Sequence, residues 1–117
     1  MYNMRSEVTY LASWRYWPWS AGVARGTPEV LRDDARWRSQ TLLLCWPDME
    51  SGFAEHCLDL FPGTRLVYVG EGAGGCTASA GFFRRLARGW TLQDSRPLGR
   101  FPGYEVEDAA HVYVRKG

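Results

Sequence analysis

Between residues 41 and 95 the chain switches back and forth between two hydrophobic patterns. Thr41 to Trp46 (TLLLCW) is apolar without alternation, which predicts a strand buried on both faces of a parallel sheet. Pro47 ends it. Ser51 to Phe61 then carries Phe53, Ala54, Cys57, Leu58 and Phe61 at helical spacing, and Pro62-Gly63 stops that helix. Thr64 to Val69 reads as a second buried strand. Thr77 to Arg88 reads as a helix with Phe82, Phe83 and Leu86 inward, ended by Gly89. Trp90 to Ser95 is a third strand, Pro97 to Gly103 a loop, and Ala109 to Val114 an alternating last strand. Upstream, Glu7 to Ser13 (EVTYLAS) fits a short strand. Thr27-Pro28-Glu29 fits a helix start, with Thr as cap and Pro at the first helical position. The order implies an α/β domain with parallel strands joined by right-handed crossovers and two final strands as antiparallel neighbours.

A chain of 117 residues makes one domain, residues 1–117, with room for one core. Hydrophobic residues at 45% and charged residues at 23% fit a soluble globular protein. A net charge of +1 argues against nucleic-acid and membrane partners. Arg84, Arg85 and Arg88 share one expected helix, either as a solvated face or as a phosphate contact. The first ten residues lack a signal-like apolar core, and Leu42 to Trp46 is too short to span a bilayer. Cys45, Cys57 and Cys76 lack metal-ligand spacing and read as reduced thiols of a cytoplasmic protein. No metal is expected, because His56-Cys57 are adjacent rather than spaced. Trp14, Trp17 and Trp19 cluster, as aromatics do at core edges and interfaces.

YVGEGAGGCT, residues 68–77, raises a sharper question. Gly70, Gly72 and Gly75 satisfy G-x-G-x-x-G between a strand and a helix, and Asp94 follows about twenty residues on. Against a nucleotide turn stands Glu71, whose charge would lie where a pyrophosphate should.

The stretches TLLLCWP, FPGTRLVYVGEGAGGCT and the Phe82-Phe83 pair resemble the C-terminal half of uncharacterised bacterial methyltransferase-like proteins. Those proteins carry LLLCWPPY and YVGEGxGGCT motifs, and WSAGVARGTPEVL resembles one of their upstream segments. The resemblance implies an incomplete Rossmann-like (methyltransferase-like) three-layer sandwich with a C-terminal antiparallel strand. It places the glycine loop after the fifth strand of that fold, away from the cofactor. The chain departs from the pattern in two places. No glycine loop or ribose-binding acid is available before Trp14, since EVTYLAS ends in Ala12-Ser13. The CWPPY turn has become Cys45-Trp46-Pro47-Asp48. The expectation is therefore no cofactor, S-adenosylmethionine included.

Ligands of open α/β sheets bind outside the carboxyl ends of the strands. Asp48 and Glu71 follow two neighbouring strands there and form a candidate acid/base pair, or else cap the helices that follow. Cys76 at a helix start is a candidate nucleophile. Cys45, Trp46, Gly72 and Thr77 are candidate substrate contacts. No triad assembles from His56 or His111. Three functions follow: a small-molecule enzyme of specialised metabolism, a non-catalytic binding or interaction module, or a nucleotide-binding domain using Gly70 to Gly75. A strand as apolar as TLLLCWP also needs both edges paired, which predicts a homodimer unless EVTYLAS pairs with it in the same chain.

Overall fold

The computed structural model describes residues 2–3, 8–11, 23–24, 27–100 and 107–117. Strands β1 (Tyr2–Asn3), β2 (Val8–Leu11) and β3 (Val23–Ala24) precede helix α1 (Val30–Asp33) and a 3-10 turn, Ala35–Ser39. Then follow β4 (Thr41–Cys45), α2 (Phe53–Leu60), β5 (Arg65–Gly70), α3 (Ala80–Gly89), β6 (Trp90–Arg100) and β7 (Glu107–Arg115). β1 and β3 form an antiparallel pair; the other five strands make one mixed sheet in the order β2-β4-β5-β7-β6. β2, β4 and β5 are parallel, and β7 runs antiparallel to both its neighbours.

The expected three-layer Rossmann-like sandwich is not what forms. The chain builds a small mixed sheet with few helices, and strand order gives the reason. From β2 to β4 to β5 the chain advances across the sheet in one direction. The crossover through α3 to β6 continues the same way, with β7 inserted between. Right-handed crossovers that advance in one direction lay their helices on one face. A third layer needs a helical crossover in the opposite direction; the one step back among the described strands, from β6 to β7, joins neighbouring antiparallel strands.

Burial agrees with this. Leu42 and Leu44 of β4, and Leu66 and Tyr68 of β5, are fully buried. They pack with Leu31, Trp37, Ala54, Cys57, Leu58, Phe82 and Leu86 from the helical side. Leu43, Cys45, Val67 and Val69 point to the second face and stay half-buried. TLLLCW therefore alternates in burial, and the reading as a strand covered on both faces is corrected. The central Leu43 conceals the alternation, because a half-covered face tolerates leucine as readily as a core does. Each buried leucine contributes about 1.5–3 kcal/mol, so the face with Leu42 and Leu44 sets the register.

The edge of β4 is paired within the chain. Val8 lies opposite Thr41 and Leu11 opposite Leu44. The open edge that motivated a homodimer is thus covered by β2. The tryptophans at 14, 17 and 19 lie outside the described residues.

Several boundaries shift for local reasons. Thr27 and Pro28 form a turn, with the Val30 N–H donating to the Thr27 carbonyl (3.1 Å), and α1 lasts one turn. Asp34, extended at φ −130°, ends α1, and its carboxylate accepts the Arg36 N–H to start the 3-10 turn. α3 begins at Ala80, where the Ser79 hydroxyl accepts the Phe82 N–H. β6 runs through Pro97 and Leu98 to Arg100, where a loop was expected. As the edge strand, β6 can hold a residue without an N–H, and register shifts at Leu92/Asp94 and Pro97/Gly99 absorb the irregularity. Helices α2 and α3 are tied by Arg85, whose guanidinium donates to Asp59 (2.9 Å) and Glu55 (2.8 Å).

Candidate functional site

The loops after β4 and β5 meet at the carboxyl end of the sheet. The Trp46 N–H donates to the Val69 carbonyl (2.8 Å), extending the ladder by one rung, and the Ala78 N–H donates to the Pro47 carbonyl (2.8 Å). Both loops bend through left-handed residues that are not glycine, Trp46 at φ 50° and Ala78 at φ 58°. Such residues persist only where surrounding contacts hold them.

The polar groups at this junction are bonded to one another. Asp48 Oδ1 accepts the N–H groups of Glu50 (3.0 Å) and Ser51 (2.7 Å), while Oδ2 accepts the Ser51 hydroxyl (2.8 Å). Glu71 Oε1 accepts the Cys76 N–H (2.8 Å) across the glycine loop. Thr77, 1% exposed, is the hub. Its hydroxyl accepts the Glu71 N–H (2.8 Å) and shares a short hydrogen bond with the Tyr68 hydroxyl. Tyr68 in turn donates to the Glu71 carbonyl (2.7 Å). Burial pushes the Tyr68 phenol up to about 12, against the Thr77 hydrogen bond that pulls it down, so it is a standing donor. The Trp46 indole N–H donates to Asp108 Oδ2 (2.8 Å), leaving Asp108 Oδ1 buried without a partner.

Each candidate residue can now be placed. Asp48 and Glu71 follow neighbouring strands and their loops touch, yet each carboxylate closes its own loop. Gly72 accepts the Gly75 N–H (3.1 Å) in an exposed turn. Cys76 is exposed and lies four residues before Ala80, the first residue of α3, so it is not part of that helix's first turn. Cys45 is half-buried, and burial, then the charge of Asp108, raises its pKa. Cys57 is buried, and burial raises its pKa far above that of an ordinary thiol. No group of three His, Cys, Asp or Glu side chains among the described residues could hold a metal ion. No helix among them is long and apolar enough to cross a membrane.

The nucleotide-turn alternative finds little support. The Glu71 side chain reaches across the loop that a pyrophosphate would enter. Asp94 sits exposed on β6, paired with Arg96 (3.1 Å), and β7 lies between β6 and β5. The acid of a dinucleotide site belongs on the strand beside the glycine turn.

Sequence reasoning missed Tyr68 and Asp108, and of the residues around a second feature it named only Arg84, Arg85 and Arg88. Tyr68 was legible in principle, because it alternates with Leu66 and a buried phenol needs a partner. The second feature is a cleft of about 550 Å³ along α3. Leu58 and Asp59 of α2 line it, with Gly81, Arg84, Arg85 and Arg88 of α3, then Gly89, Trp90 and Arg115. Neither Asp48 nor Glu71 reaches it.

No protein-family model matches the chain, and no curated protein matches it either.

Proposed function

We propose that the chain is a non-catalytic module that binds a small ligand. One observation carries this reading: the acid, hydroxyl and amide groups at the strand ends are hydrogen-bonded within the β4 and β5 loops. Among the described residues Asp48 accepts from Glu50 and Ser51, Glu71 accepts from Cys76 across its loop, and Thr77 is buried between Tyr68 and Glu71. A general acid/base pair needs carboxylates within reach of a substrate proton, and each of these carboxylates closes its own loop instead. The strand order supports the same view. Ligand crevices of open sheets form where adjacent loops diverge to opposite faces. Here the β4 and β5 loops both lead to helices on one face and are hydrogen-bonded together.

The test is to incubate the purified protein with a metabolite extract and follow the mixture by mass spectrometry. The expected result is a metabolite retained by the protein and recovered unchanged. Time-dependent conversion of a metabolite, abolished in Asp48→Asn or Glu71→Gln while the fold is kept, overturns the reading and restores a small-molecule enzyme that works without S-adenosylmethionine.

A further inference from the structure

The geometry points to the cleft along α3 as a binding site for a phosphate-bearing small molecule, held by Arg84, Arg88 and Arg115. The cleft, about 550 Å³, is the size of a small-ligand pocket. Four arginines line it against one acid, Asp59. Their charges are not equally compensated. Arg85 is neutralised by Glu55 (2.8 Å) and Asp59 (2.9 Å). Arg115 lies with its guanidinium 4.4 Å from the Trp90 ring centroid and donates to the carbonyls of Phe61 (2.6 Å) and Gly63 (2.9 Å). Those bonds fix its position without cancelling its charge. Arg84 and Arg88 are exposed and have no ion pair or hydrogen bond among the described residues.

Arg84 and Arg88 stand four residues apart on α3, so they are neighbours on one helix face. Like charges at that spacing repel, and a shared anion relieves the repulsion. Guanidinium forks match phosphate oxygens two at a time, which a solvated lysine face would not do. Three uncompensated positive charges around one concavity suit a phosphate dianion or a diphosphate better than a single carboxylate. A nucleic acid fits less well. The net charge of +1 gives no extended basic track for a strand.

This inference rests on the binding reading above and gives it a site and a ligand class. Its failure is distinct. Lack of phosphate binding removes the cleft assignment, whereas product formation in the extract experiment removes the binding reading.

Isothermal titration of the whole chain with pyrophosphate and with inorganic phosphate tests it, beside the Arg84→Gln/Arg88→Gln double variant. Both arginines are exposed and unpaired, so the variant should keep its melting temperature, which is measured in the same experiment. The expected result is pyrophosphate binding with a dissociation constant below about 1 mM, weaker by about tenfold or more in the variant. Orthophosphate should bind more weakly than pyrophosphate. No binding at millimolar pyrophosphate overturns the proposal, as does equal binding by the folded variant. A single-stranded RNA that binds more tightly than pyrophosphate, with affinity falling steeply as salt rises, also overturns it in favour of a nucleic-acid surface. Should the double variant melt early, the single Arg84→Gln variant decides by the same loss of affinity.

Discussion

The strand-end junction and the α3 cleft use polar groups in opposite ways. At the junction Tyr68, Glu71 and Thr77 bond to one another, Asp48 bonds to Glu50 and Ser51 in its own loop, and Thr77 is shut away from solvent. In the cleft Arg84 and Arg88 face solvent with no partner among the described residues. The difference separates two reasons for a chemically suggestive residue to be present. A buried polar group with its partners in place holds a conformation, and losing one partner strands the others. An exposed charge without a partner adds little to stability, so substituting it reads out binding with the fold intact.

The largest expected effect falls at the hub. Thr77→Val keeps the shape of the side chain, strands the Glu71 N–H and leaves the Tyr68 hydroxyl only its bond to the Glu71 carbonyl. Denaturant titration should show a loss of about 2–3 kcal/mol, and a loss under half a unit would mean that water replaces the hydroxyl. Gly70→Ala should cost about 2 kcal/mol by overpacking. An added Cβ would meet Thr77 Oγ1 at 2.6 Å and the Tyr68 hydroxyl at 2.8 Å, both held in place.

The junction also carries a pH signature. A phenol whose pKa is raised keeps its proton longer in the folded chain than in the unfolded one. Its contribution is therefore fully present below the ordinary value of 10 and is lost as pH climbs toward about 12. Urea midpoints at pH 9 and 11.5 should fall more in the wild type than in Tyr68→Phe, and parallel losses would reject the assignment. Trp46→Phe leaves Asp108 without its indole donor and should cost about 1–2 kcal/mol.

The smallest stability effect belongs to the cleft. Arg84→Gln/Arg88→Gln should leave unfolding unchanged within about 0.5 kcal/mol while pyrophosphate affinity drops. A large loss of stability from this pair would erase the contrast between the two regions.

Much of the local order is legible in the chain itself. The apolar runs at 41–46 and 64–69 become β4 and β5, and the spacing from Phe53 to Phe61 becomes α2, because period and punctuation are local properties. EVTYLAS contains β2, and its pairing with β4 was one of two outcomes that its length allowed. The candidate residues 45, 46, 48, 71, 72, 76 and 77 do gather at one end of the sheet, since strand ends bring their loops together. What they do there was not legible. Glu71 reads either as half of an acid/base pair or as a helix cap until the loop folds and its carboxylate meets the Cys76 N–H.

Tertiary structure decided the rest. Whether Leu43 lies in a core depends on which face the helices take, and that follows from strand order, which no window of residues reports. The spacing of Arg84, Arg85 and Arg88 places them on one helix. Only the packing of α2 beside α3, with Arg115 brought from the end of β7 onto Trp90, turns that helix face into the wall of a cleft. Periodicity is written in neighbouring residues, whereas layers, edges and concavities come from pairing residues distant along the chain.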